Sequence, residues 1–349
     1  AFNEKTKVTF GFQGMNQQNK NREAPNHILP DAISYDLSGY ALVQAHLGKR
    51  FILEGGLRYS YTNLNVPEQS SGQTDNDGNE VIIRFDNDFS NLSASLGTTI
   101  KLTEKFFMRL NLSSAFRNPN ISELTQYGLH ETRFEVGDPN LIPQQNQEAD
   151  FGLHYHSQHT TFDLDGFYNN IDHYITLSPT GDTTTGGDII YLYSQTKAQI
   201  YGGEASVHFH PHPLDWLHFE ASWQYAIGKQ NSGGYLPFIP AQKIHFALML
   251  KKAKWKDLRD LYIKGGADIA LAQNNPSEFE DASGGYTLTF IGIGFNILMK
   301  TQLINISLNA TNLLDITYYD HLSLLKEAGL YNPGRSIVLY IKVPFLIKN

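Results

Sequence analysis

The stretch Thr301–Leu314, TQLINISLNATNLL, decides the fold of this chain. Its apolar and polar residues alternate, as in Ile304, Asn305, Ile306 and Ser307. A period of two in side-chain direction predicts a β-strand. The polar face carries Asn, Ser and Thr rather than Lys and Glu, which suits an enclosed wet interior better than open solvent. The pattern is typical of a membrane barrel strand, apolar toward lipid and polar toward the lumen.

The same alternation continues on both sides of this stretch, in Tyr286–Met299 (YTLTFIGIGFNILM) and in Ser336–Phe345 (SIVLYIKVPF). Followed along the whole chain, it predicts about fourteen strands. These are 7–16, 34–48, 50–66, 89–102, 106–117, 146–158, 160–176, 189–210, 215–229, 241–254, 258–273, 286–299, 301–314 and 336–345. Most exceed the roughly 9–11 residues that a tilted strand needs to span hydrocarbon.

The connections alternate in length along the chain. The short links are 47–50, 102–105, 157–160, 211–215, 254–257 and 298–301. The long polar links are 65–88, 117–145, 179–188, 230–240, 274–285 and 315–335. In a meander this places all turns at one end and all loops at the other, as in outer-membrane barrels. The predicted fold class is therefore all-β, a transmembrane antiparallel up-and-down β-barrel.

Composition excludes several other classes of protein. No apolar run in the 349 residues approaches the roughly eighteen that a transmembrane helix needs. The formal net charge of −8 argues against a nucleic-acid partner, because phosphate binding requires clustered Lys and Arg. The absence of cysteine excludes disulfides and thiolate metal sites.

Closure of the barrel is a separate question. An open edge in lipid exposes unpaired backbone groups at several kcal/mol each. Either the fourteen strands close on themselves, or partner strands lie outside this sequence. The chain enters its first strand almost directly after Ala1–Lys5, and we expect missing strands.

Short motifs occur in a fixed order along the meander. They are Phe116-Arg117-Asn118-Pro119 with Glu123-Leu124, Gly128-Leu129-His130, Asp138-Pro139-Asn140-Leu141, Tyr201-Gly202-Gly203-Glu204, Asn312-Leu313-Leu314-Asp315, Tyr318-Tyr319 and Pro333-Gly334-Arg335. Together they resemble the motifs of TonB-dependent outer-membrane receptors. Asp138 replaces an Asn of the family pattern, and Gln144 stands where a Glu often lies.

The resemblance implies an architecture of about 22 strands around a plug. Residues 1–349 would then be the C-terminal part of the barrel, about its last fourteen strands, with the plug not in this chain. It also implies a Gram-negative outer-membrane location, with lipid and lipopolysaccharide around the barrel. TonB would act through the absent plug segment.

The function implied is import of a scarce small-molecule solute, and we expect an iron complex such as a siderophore or haem. The candidate substrate-binding residues lie in the outer loops 117–145 and 315–335. They are Arg117, Tyr127, His130, Arg133 and His321. The alternatives are a passive fourteen-strand porin, a receptor for a peptide, saccharide or cobalamin, and a component of a surface secretion or adhesion complex.

Thirteen histidines raise the question of metal binding. His154, His156 and His159 flank one short turn and His208, His210 and His212 another, and alternate histidines on one strand face can hold a divalent ion. Because both groups fall at the turn end, away from substrate, we interpret them as hydrated rim residues.

His130 is either a haem ligand, as its position in the resemblance implies, or a loop-packing residue. His27, like His321, lies in an outer loop. No metal site and no cofactor are predicted.

Three further features receive ordinary interpretations. The acidic loop 68–88 lacks the spaced ligands of a calcium loop and is interpreted as solvated. Interfacial aromatic belts are predicted from Tyr35, Tyr59, Tyr61, Tyr225, Tyr286 and Phe345. Ser157, His154 and Asp163 have no nucleophile elbow around the serine, so no catalytic residue and no enzyme activity are predicted.

Overall fold

A computed structural model of the chain describes residues 5–21, 29–75, 77–130, 133–299, 302–326 and 328–344. His27 and Phe345 lie outside these residues. The strands are β1 (Thr6–Asn19), β2 (Ala32–Leu47), β3 (Phe51–Thr74), β4 (Glu80–Lys101), β5 (Phe106–Arg117), β6 (Tyr127–His130), β7 (Arg133–Val136), β8 (Gln144–His156), β9 (Thr160–Thr183), β10 (Ile189–Phe209), β11 (Leu217–Gln230), β12 (Lys243–Trp255), β13 (Leu258–Ala270), β14 (Tyr286–Met299), β15 (Gln302–Thr311) and β16 (Ser336–Lys342).

The long strands form one antiparallel up-and-down sheet, in the order β1-β2-β3-β4-β5-β8-β9-β10-β11-β12-β13-β14-β15-β16. All fourteen predicted strands are therefore confirmed, with shifted ends. Two short strands, β6 and β7, were not predicted. They form a hairpin within the β5–β8 connection, and β7 also pairs with β10. A short helix, α1 (Ile121–Thr125), precedes them, and a 3₁₀ turn covers Leu324–Lys326.

An apolar ladder crosses the last five strands. Leu250 pairs with Ile263, Ile263 with Ile293, Ile293 with Leu308, and Leu308 with Leu339. Each of these side chains is exposed. The neighbouring positions carry polar groups on the opposite face, where Lys264 forms an ion pair with Glu220 at 2.6 Å. This is the predicted arrangement, because lipid accepts an apolar face that water would not.

One predicted loop is mostly strand, and another is strand over half of its length. Residues 65–88 and 179–188 continue the β3–β4 and β9–β10 hairpins, which turn at 75–79 and 184–188. Asp75 closes the first turn, where its Oδ1 accepts hydrogen bonds from the backbone N–H groups of Asp77 at 2.9 Å and Asn79 at 2.8 Å. The sequence pattern missed these extensions because some of their side chains pack against loop residues and others face water, so no regular apolar alternation is required.

The sheet has two edges. Among the described residues, β1 pairs only with β2, and β16 only with β15. No helix in the described part of the chain is long and apolar enough to cross a bilayer.

A small hydrophobic core lies at the loop end rather than in the middle of the sheet. It joins residues of β2, β3, β4 and β9 to the β5–β8 connection, through Ala32, Leu64, Val66, Phe85, Phe89, Leu124, Leu141 and Ile175. Leu124 of α1 is 1% exposed and Val66 is also 1% exposed. The connection that carries most of the predicted site residues is thus packed against the sheet.

Candidate functional site

The β5–β8 connection begins with a helix held by reciprocal hydrogen bonds. Asn120 is the N-cap of α1, and its side chain accepts from the backbone N–H of Glu123 at 2.8 Å. Glu123 in turn accepts from the backbone N–H of Asn120 at 2.8 Å, which completes a capping box. Arg117 donates from Nη1 to both carboxylate oxygens of Glu123, at 3.0 and 2.9 Å. Arg117 therefore helps to hold the first turn of the helix, and it lies where the loop begins.

A buried carboxylate organises the β6–β7 hairpin. Glu135 is 1% exposed, and its Oε1 lies 3.2 Å from Nδ1 of His130 and accepts from Nε of Arg133 at 3.0 Å. Its Oε2 accepts from the hydroxyl of Tyr193 at 3.1 Å. A buried charge of this kind is tolerated because it is paired and hydrogen-bonded. Glu135 was not predicted from the sequence, although it stands close to two of the predicted residues.

Aromatic rings pack against other residues of the β6–β7 hairpin. Tyr127 packs edge-on against Phe134 with ring centroids 5.1 Å apart. The guanidinium of Arg133 lies over the ring of Tyr191, 5.6 Å from its centroid. Such cation–π contacts hold the planar guanidinium in place. The hairpin thus presents an imidazole, a guanidinium and a phenol from one ordered unit.

The hairpin is tied to the wall and to the helix through backbone bonds. Strand β7 pairs in parallel with β10 through Phe134 with Ile190, Glu135 with Tyr191 and Val136 with Leu192. The N–H of Gly137 donates to the carbonyl of Gln126 at 2.7 Å. A Cβ at Gly137 would lie 2.6 Å from the backbone nitrogen of Thr125, so this close approach requires glycine.

His321 belongs to a second loop cluster. Its Nδ1 hydrogen-bonds with the hydroxyl of Ser283 at 3.0 Å, and its Nε2 lies 3.9 Å from Oε1 of Glu280. Glu280 accepts in turn from the backbone N–H of Phe238 at 2.9 Å. Three connections, 231–242, 271–285 and 312–335, meet at these residues. The His321 side chain is 2% exposed, which places it in loop packing rather than on an open surface.

Asp320 anchors the same loop to the wall. Its Oδ2 accepts from the hydroxyl of Tyr286 at 2.7 Å and from Nζ of Lys243 at 3.0 Å. Burial opposes ionisation of Asp320, but these hydrogen bonds outweigh it and lower the pKa of the carboxyl. Burial lowers the pKa of His321, against the opposing charge of Glu280. An ionised Asp320 and a neutral His321 therefore suit the contacts that hold this loop.

The structure places three of the five predicted site residues, Tyr127, His130 and Arg133, in the β6–β7 hairpin. Arg117 is the last residue of β5, directly before the same connection, and no contact among the described residues joins His321 to these four. Ser157 and His154 do not form a nucleophile–base pair among the described contacts. The Ser157 hydroxyl bonds to Thr160 across a turn at 3.1 Å, and His154 pairs with Asp163 at 2.7 Å.

Below the loops, the polar face of the sheet encloses a cavity of about 730 Å³. Its charged lining consists of Arg109, Glu148, Asp150, Asp165 and Glu204. Asp150 accepts from the side-chain amide of Asn111 at 2.9 Å, and Glu148 from that of Asn169 at 3.0 Å. The charged residues that line this cavity are thus mostly acidic.

The family assignment follows from comparison with known proteins. A family model described as "TonB dependent receptor-like, beta-barrel" matches residues 2–313. The chain belongs to the TonB-dependent receptor β-barrel family. TonB-dependent receptors lie in the outer membrane of Gram-negative bacteria, and this chain is an outer-membrane protein with them.

Solved structures share the fold of this TonB-dependent receptor barrel. The copper transporter OprC superposes with a TM-score of 0.78 at 18% identity, covering 97% of this chain and 55% of that one. The FrpB iron transporter from Neisseria meningitidis (F3-3 variant) gives 0.69 at 15% identity, covering 98% and 53%. A double mutant of the Serratia marcescens hemophore receptor HasR, in complex with HasA and heme, gives 0.69 at 14%, covering 97% and 58%. The chain spans a little over half the length of each.

Proposed function

We propose that this receptor imports a scarce solute across the outer membrane in a TonB-dependent manner, and that the solute is an iron complex, a siderophore or haem. The family match supports the import reaction. The iron transporter and the hemophore receptor among the similar structures favour iron, and the copper transporter makes copper the second candidate. In the whole receptor, TonB would act through a plug and further strands would complete the barrel.

The main observation that supports the proposed substrate class is the pair of contacts that His130 and Arg133 make with Glu135. Nδ1 of His130 faces this carboxylate, so Nε2 is directed away from it, and the His130 side chain is 39% exposed. A carboxylate partner on one ring nitrogen is the usual arrangement for an imidazole that binds a metal through the other. Arg133, 36% exposed, adds a cation suited to an anionic chelate.

The edges of the sheet support a larger barrel than a porin of fourteen strands. In the described residues β1 and β16 each have one hydrogen-bonded neighbour. Exposed backbone groups in hydrocarbon cost several kcal/mol each, so each edge requires a partner strand. A passive porin would instead close β1 on β16.

Growth on defined metal sources tests the proposal. A deletion strain should fail to grow on one ferric siderophore or on haem as the sole iron source, and a tonB deletion should show the same defect. His130→Gln and Arg133→Ala should weaken uptake of that compound, whereas His46→Gln, on an exposed residue of β2, should not. Loss of copper uptake with normal iron uptake would assign copper instead. Normal growth on every iron and copper source would contradict metal import.

A further inference from the structure

The polar face of the sheet carries a group of histidines at the short-turn end. His208 lies on β10, His210 follows that strand directly, and His218 lies on β11. The intervening Phe209 pairs with Phe219 on the opposite, apolar face. His208 is paired with Glu220, so His218 is its diagonal neighbour on the same face. The alternation of the strands therefore turns all three imidazoles toward the lumen.

The ring nitrogens of these histidines lie at metal-ligand spacing. Nε2 of His208 is 3.1 Å from Nδ1 of His218, and the two rings stack with centroids 5.4 Å apart. One nitrogen from each of the three residues falls within 4.8 Å of the others. A tetrahedral ion with bonds of about 2.0–2.1 Å separates its ligand atoms by roughly 3.3 Å. Small rotations of the rings would bring the three nitrogens from the observed spacing to this ligand–ligand distance.

Buried nitrogens without a hydrogen-bond partner lie in this group and beside it. Nδ1 of His210 and Nδ1 of His159 are both buried, and neither hydrogen-bonds to any described residue. The two rings lie 5.0 Å apart, and His210, His159 and Asp215 also bring ligand atoms within 4.8 Å. Leaving a buried polar atom unsatisfied costs about 1–3 kcal/mol. A bound cation would satisfy these nitrogens.

A second group, His154, His156 and Asp163, also brings ligand atoms within 4.8 Å, and Nε2 of His154 is buried without a hydrogen-bond partner in the described part of the chain, but this group contains a carboxylate. His154 and His156 both hydrogen-bond to Oδ1 of Asp163, each at 2.7 Å. A carboxylate therefore accounts for the position of these two rings. In the trio His208, His210 and His218 no carboxylate belongs to the group, and Glu220 is engaged with Lys264 at 2.6 Å. His208 and His218 hydrogen-bond to each other, whereas Nδ1 of His210 has no hydrogen-bond partner among the described residues.

We propose that His208, His210 and His218 bind one divalent late-transition-metal ion, Zn²⁺, Cu²⁺ or Ni²⁺, on the luminal side of the short-turn rim. Imidazole is the ligand that these ions share. His159 and Asp215 supply adjacent donors for the remaining coordination position. The site lies at the opposite end of the wall from the β6–β7 hairpin, and it does not depend on which solute the receptor imports.

Metal titration of the purified complete receptor tests the site. The protein is stripped with a chelator in detergent and titrated with Zn²⁺, Cu²⁺ and Ni²⁺ by calorimetry. One equivalent should bind, and His208→Gln and His218→Gln should each weaken binding at least about tenfold. The matched control is His245→Gln, because His245 is a luminal histidine paired with Asp268 at 2.7 Å. The control should bind like the unmodified receptor.

Electron paramagnetic resonance of the Cu²⁺-loaded, unsubstituted receptor gives a readout that does not depend on how the variants fold. Coupling to three imidazole nitrogens is expected. Absence of saturable binding of all three ions, a spectrum with oxygen ligands alone, or an equal loss of affinity in His245→Gln would each overturn the proposal.

Discussion

Nη1 of Arg117 lies within 3.0 Å of both carboxylate oxygens of Glu123, while the same carboxylate caps the backbone of Asn120. One acidic side chain thus pairs with the last residue of strand β5 and caps the first turn of helix α1. The Phe-Arg-x-Pro and Glu-Leu motifs have a structural explanation here, since each holds the other.

Removing the cap should loosen the helix. Asn120→Ala removes the acceptor for the Glu123 N–H, at a cost of about 1 kcal/mol, which corresponds to roughly five-fold faster local opening. Hydrogen exchange of the amides of 123–126 measures this change. Asn140→Ala, in the same connection but exposed, should leave these amides unaffected. Equal acceleration in both variants would show that the cap does not hold the helix.

Neutralising the buried carboxylate should release two candidate ligands together. Glu135→Gln weakens the contacts to His130 and Arg133, so affinity for the solute should fall by about tenfold, the loss of roughly one charged hydrogen bond. Solute binding to the purified receptor measures it. Glu68→Gln is the control, because Glu68 is 69% exposed and its ion pair with Arg84 is long, at 4.0 Å. Unchanged affinity in Glu135→Gln would remove His130 and Arg133 from the binding site.

The His321 cluster should open in acid. Burial holds the folded-state pKa of His321 below its ordinary value of 6.5. Protonation of His321 therefore destabilises the buried position of this side chain. The stability that the buried, neutral His321 gives to this cluster is fully present above pH 6.5. It is lost as the pH falls through the lower folded-state pKa. Hydrogen exchange of 280–283, compared at pH 7.5 and 5.5, should show the opening after correction for intrinsic rates.

His321→Asn is the variant for this experiment, because it removes the titrating group while keeping a polar side chain near Ser283. It should abolish the pH dependence, whereas His46→Asn should retain it. A pH dependence that survives in His321→Asn would assign the effect to another group.

A charge on the apolar ladder should destabilise the barrel. Ile293→Lys places an ammonium among Ile263 and Leu308, at a cost of about 2–4 kcal/mol near the bilayer centre. Equilibrium unfolding in lipid vesicles measures it. Ser307→Lys on the polar face of the neighbouring strand should cost much less. Equal costs at the two positions would mean that the ladder does not face lipid.

The long strands were predictable because their signal is local. Alternation in a stretch such as Thr301–Leu314 is imposed by lipid on one side and a polar lumen on the other, and the sequence must carry it at every strand. Where the hairpins rise beyond the apolar band, as at Gln69–Thr74, that constraint ends. The pattern therefore stopped short of the real strand ends.

Part of the candidate site was predictable because those residues are also close together in the sequence. Tyr127, His130 and Arg133 lie in one connection and Arg117 directly before it, so their placement in one region follows from chain order. Glu135 contributes through Tyr193 and the parallel pairing with Ile190–Leu192, which join residues far apart in sequence. The histidine trio also needs the β10–β11 register before it becomes a group, although its alternate spacing was visible at 208 and 210.

Strand β10 connects two distant regions mechanically. At Ile190–Leu192 it shares a parallel ladder with the β6–β7 hairpin, and its other end carries His208. Shear along the strand axis loads all bonds of that ladder at once, whereas peeling breaks them one by one. The three residue pairs of that ladder therefore resist displacement of the hairpin along β10 more strongly than its displacement away from the wall.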